Sequence, residues 1–110
     1  MHKAYFTQDF RKHLEKLTRR DSVLKERIAS KIDDMMNDPI RNSEELVGAF
    51  KGKRRAYVGK AGHRLIFGVC KECREKNYQD FNSCFECASK DISAVIFFDV
   101  IHRSEGYRNH

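Results

Sequence analysis

The chain has 110 residues, with 22 Lys and Arg against 16 Asp and Glu, a formal net charge of +6 and 40% apolar residues. That length builds one core and one domain, 1–110, and excludes a two-domain protein. The basic balance points to nucleic acid or an acidic protein as partner, and the lack of a long apolar run excludes a membrane-spanning chain. The opening MHKAYFTQDF has no apolar run of the signal-peptide kind, so a cytoplasmic location is expected.

Residues 4–6 read as a short strand. Thr7 then caps a helix through its hydroxyl, and Phe10, Leu14 and Leu17 fall on one face of it. This helix is expected to end near Arg19 and Arg20. Asp21 or Ser22 caps a second helix, in which Leu24, Ile28, Ile32 and Met35 form an apolar stripe that reads as core. Asn37-Asp38-Pro39 stops it, because the residue before a proline avoids the helical region. The short turn between the two makes an antiparallel helical hairpin. Residues 40–50 are a connector whose Leu46 and Phe50 dock onto the helices.

The most charged stretch is 51–67. It holds Lys51, Lys53, Arg54, Arg55, Lys60 and Arg64, with His63 and no acid, yet apolar residues recur through it. Lys53, Arg55 and Tyr57 alternate with Arg54, Ala56 and Val58, and His63, Leu65 and Phe67 alternate with Arg64 and Ile66. This predicts a β-hairpin turned at 59–62, with one apolar side laid on the helices and Arg55, Tyr57 and Arg64 on the other. Charge on such a frame suits an anionic partner, so Lys51, Lys53, Arg54, Lys60 and His63 are candidate RNA contacts. Residues 92–101 are the most β-prone run and are expected to form a central strand.

Between hairpin and last strand, Cys70-x-x-Cys73 and Cys84-x-x-Cys87 are separated by ten residues. Two such pairs donate four thiolates to one tetrahedral ion, so structural zinc held by an insertion at 70–90 is the expectation. Four protein ligands leave no open position, and no catalytic metal is expected. Two disulfides, or a redox pair, are the alternative uses of these cysteines.

No Ser-His-Asp order, phosphate-cradling glycine loop or carboxylate pair is visible. The ionisable groups expected to share one face are Arg55, Tyr57, His63, Arg64, His102, Arg103 and Tyr107. That set suits metal-free RNA cleavage, in which arginines neutralise phosphate charge and histidine or tyrosine moves protons.

Several motifs in this order resemble the RelE/ParE superfamily of toxins. They are F-x-x-x-L-x-K-L in the first helix, L-K-E-R-I-x-x-K-I in the second, E-L-x-G-x-x-K-G-x-R-R-A-Y-V-G, G-H-R-L-I-F-G-V and the late R-S-E-G-Y. The resemblance covers nearly all of the chain except the cysteine excursion. It implies an α+β fold, a helical hairpin packed on a small twisted antiparallel sheet. It also implies a ribosome-dependent endoribonuclease that cuts mRNA by 2′-hydroxyl attack on the adjacent phosphate and is restrained by an acidic antitoxin. Arg55 and Tyr57 stand where RelE has two catalytic lysines, Arg64 matches a phosphate-binding arginine, and Tyr107 matches a base-stacking tyrosine. Arg103 lies close to a further active-site arginine, and His102 is the candidate to replace the missing lysines. ParE-like relatives share the fold and act on DNA gyrase, so a gyrase inhibitor and a non-catalytic binding relative are the alternatives. The zinc knuckle is not a usual feature of this superfamily.

Overall fold

The computed structural model describes residues 3–41, 43–59, 62–76 and 93–102. Thr7 starts the first helix as expected, accepting a hydrogen bond from the Phe10 amide (3.1 Å). The same hydroxyl donates to the Phe98 carbonyl, 3.0 Å away. Helix α1 runs Gln8–Thr18, and α2 runs Ser22–Met35 from an Asp21 cap that accepts from the Leu24 amide. No helix among the described residues is long and apolar enough to cross a membrane.

Five strands form one sheet, β1 (Lys3–Phe6), β2 (Glu44–Glu45), β3 (Arg54–Val58), β4 (His63–Val69) and β5 (Ala94–His102), in the order β1-β5-β4-β3-β2. The expected α+β architecture is present, and its sheet is mixed. β2, β3, β4 and β5 pair antiparallel, while β1 lies parallel to β5. A strand that leads into a helix hairpin before the sheet resumes is free to return in either sense, and local sequence does not carry that choice. A bulge interrupts β5, where Phe67 pairs with Phe97 and Ile66 with Asp99. Gly59 and Gly62 flank the β3–β4 turn with φ of 60° and 92°, a region other residues adopt at a penalty.

The helices cover one face of the sheet. Phe10, Leu24, Ile28 and Met35 pack against Ala56, Val58, Leu65, Phe67, Val69, Val95, Phe97 and Val100. Phe97 lies at the centre, with ring centroids 5.3, 5.8 and 5.7 Å from Phe6, Phe10 and Phe67. A smaller apolar cluster of Cys70, Ala94, Ile96 and Phe98, joined by Tyr5, forms a second packing group. A third helix, α3 (Cys70–Glu75), follows β4 directly, so the first cysteine pair sits on a helical turn.

Candidate active site

Cross-strand partners share a face, so register decides what meets what. Tyr57 pairs with Arg64, and Arg55 pairs with both Glu44 and Ile66. Ala56, Val58 and Leu65 alternate with these residues and belong to the helix-side core. Glu44, Arg55, Tyr57 and Arg64 therefore stand together on the opposite face. Tyr57 is 43% exposed, and two guanidinium groups stand over its ring, Arg55 at 5.2 Å and Arg64 at 5.4 Å from the centroid. Guanidinium groups over an aromatic face gain cation–π attraction, which holds both arginines beside one patch of surface. The Arg55 guanidinium also donates to the Glu44 carboxylate. This set can bind a phosphate between two planar cations, with a carboxylate and a phenol as proton carriers.

Glu44 has no counterpart in the expectations from sequence. Its signal is there in retrospect: Glu44-Glu45 precedes Arg54-Arg55, and antiparallel pairing sets acid against base. A two-residue strand has no periodicity by which to be recognised.

Two of the candidate RNA contacts face inward and must be corrected. Arg54 is buried, with its guanidinium donating to Glu72 of α3 at 2.7 Å, to the Ser43 hydroxyl at 2.7 Å and to the Ile40 carbonyl at 3.3 Å. It clamps the connector and the cysteine helix to β3, and presents no surface to an RNA. Lys53 is 2% exposed, with its ammonium 5.0 Å over the Phe98 ring. Burial pushes its pKa below the usual lysine range, and negative charge at Cys73 opposes that shift. Lys51 remains exposed.

The histidines are also displaced from the expected group. His63 pairs with Val58 on one side and His102 on the other, in the row that continues the helix-side core. Alternation thus sets both imidazoles on the reverse of the sheet from Tyr57 and Arg64. Their rings touch, with centroids 5.0 Å apart and planes at 70°. Lys60, Arg103 and Tyr107 lie outside the described residues.

Cys70 and Cys73 are three apart on α3, and both are buried. Cys73 Sγ is 3.7 Å from the Gly52 carbonyl oxygen. Two thiols on one helical turn fit half of a tetrahedral thiolate site. Cys84 and Cys87 lie outside the described residues, and among those described no group of three metal-binding side chains converges.

Comparison with known proteins bears on the fold. No family model matches the chain, and no curated protein matches it in sequence. Solved structures do. The RelBE2 toxin–antitoxin complex from Mycobacterium tuberculosis contains a chain similar at a TM-score of 0.63 and 20% identity, covering 94% of this chain and 93% of that one. A YoeB/ParE toxin from Agrobacterium tumefaciens is similar at 0.63 and 17%, covering 91% and 96%. A conserved hypothetical protein from Helicobacter pylori is similar at 0.59 and 24%, covering 96% and 98%. The chain therefore has the fold shared by RelE-, YoeB- and ParE-type toxins. Identities this low establish the architecture, and function has to be argued from the site.

Proposed function

We propose that this protein is the toxin of a type II toxin–antitoxin system, a cytoplasmic, ribosome-dependent endoribonuclease that cuts mRNA. The observation that carries this reading is the Arg55–Tyr57–Arg64 cluster on the exposed face of a toxin-type sheet. Arg55 and Arg64 hold the scissile phosphate and offset the charge that builds on its non-bridging oxygens. The Glu44 carboxylate accepts the proton of the 2′-hydroxyl as that oxygen attacks phosphorus. The bond to the 5′-oxygen breaks, and Tyr57 supplies the proton to the departing oxygen. The products are a 2′,3′-cyclic phosphate and a 5′-hydroxyl. This scheme replaces His102 with Glu44 as proton acceptor, because the register puts His102 on the other side of the sheet.

An acidic antitoxin fits the exposed charge. It also fits a groove between α1 and α2, floored by Phe10, Leu14 and Ile32 and edged by Arg11, Lys25 and Asp33. The four cysteines, Cys70, Cys73, Cys84 and Cys87, would hold one structural zinc that closes the excursion after β4. Metal analysis of reduced, purified protein should give one equivalent, and less than one refutes that assignment.

Expression in growing cells tests the main reading. Translated mRNA should be cut, Arg64→Ala should abolish cutting, and Glu44→Gln should slow it by about 10²–10⁴-fold while RNA binding persists. Growth arrest with intact mRNA would sink the proposal. Trapped, cleaved DNA in a supercoiling assay would favour a gyrase-directed toxin in its place.

A further inference from the structure

The pair His63–His102 is left without a role in the cleavage scheme, and its geometry suggests one of its own. The two residues face each other directly across antiparallel β4 and β5. Both are partly exposed, so an ion can reach them from solvent. An imidazole nitrogen binds a divalent ion such as zinc at about 2.0–2.1 Å, which sets the ring centre about 3.2 Å from the metal and two ring centres on one tetrahedral ion about 5 Å apart. The observed centroids are 5.0 Å apart, with the planes steeply inclined at 70°. The rings thus already stand at the separation that chelation requires, on strands whose hydrogen bonds fix their backbones.

We propose that His63 and His102 form a two-imidazole site for a divalent transition-metal ion, distinct from the cysteine quartet. Nickel, copper and zinc are the class that neutral imidazole selects. Among the described residues no third His, Cys, Asp or Glu converges on the pair, so the two imidazoles are the ligands the site is built on. A bound ion cross-links the end of β4 to the end of β5, immediately behind Arg64. This inference does not depend on the cleavage reading or on zinc at the cysteines.

The test is a Ni²⁺ titration of the purified, full-length protein after addition of one equivalent of Zn²⁺. In nuclear magnetic resonance spectra, paramagnetic broadening should centre on His63, His102 and the adjacent Val58 and Val100. His63→Ala and His102→Ala should each weaken Ni²⁺ binding by at least about tenfold. His13→Ala, which alters a histidine on α1 already bonded to Asp99, should leave it unchanged. Broadening confined to Cys70 and Cys73, or affinity equal in all three variants, overturns the proposal. The wild-type spectra decide the matter even where a variant folds poorly.

Discussion

Removing Glu72 should destabilise the protein far more than loss of a surface acid. Its carboxylate and the Arg54 guanidinium are 2.7 Å apart, with side chains only 6% and 9% exposed. Breaking a buried pair from one side leaves an uncompensated charge, at about 3–5 kcal/mol. Arg54 keeps its bonds to Ser43 and Ile40, which places Glu72→Leu near the lower end, about 3 kcal/mol. With a urea slope of about 1.5 kcal/mol per molar, the midpoint should fall by roughly 2 M. The double variant Arg54→Met/Glu72→Leu should recover most of that loss. Apolar groups then replace both charges, and Glu72 Oε1, buried with no hydrogen-bond partner among the described residues, is removed as well. Urea unfolding of the parent, both single variants and the double variant measures the coupling. A loss below about 1 kcal/mol for Glu72→Leu would refute the claim that Arg54 is a buried clamp.

Phe97→Ala empties the centre of a four-ring cluster and should cost about 3–5 kcal/mol in the same unfolding assay. Thr7→Ala removes a helix cap and a tie to β5 together, so a loss of about 1–2 kcal/mol is expected, whereas Thr7→Ser keeps the hydroxyl and should avoid most of that loss. Tyr57→Phe should keep RNA affinity, since the ring that both arginines contact survives, while cutting slows; equal rates would remove the phenol from the scheme. Arg54→Lys should leave the salt dependence of RNA binding unchanged, whereas Arg55→Ala should reduce its slope by about one contact.

The helices were legible because their signals are local. Thr7 and Asp21 cap as expected, and the stripe from Leu24 to Met35 supplies buried residues to the core. Alternation in the basic hairpin also located Arg55, Tyr57 and Arg64 on one face. That alternation already separated His63 from Arg64, but grouping by charge and chemistry joined what the pleat divides. Burial of Arg54 was not legible, because it depends on Glu72, which comes near by a turn into α3. A guanidinium in a basic run reads as exposed until its partner is known. The pairing of β1 with β5 was equally hidden, since parallel neighbours leave no turn signature.

The hydroxyl that starts α1 is bonded to a carbonyl 91 residues further along the chain. Among the described strands β1 neighbours β5 alone, and β5 also flanks β4. During synthesis, the first strand and first helix therefore wait for nearly the whole described chain before their native partner exists. Until β5 is made, Arg64 has no strand beyond it to fix its side of the sheet. Contacts this distant in sequence fold slowly. The arginine–tyrosine face is thus completed late, and a partner translated nearby meets a chain whose helical hairpin still lacks the sheet it packs on.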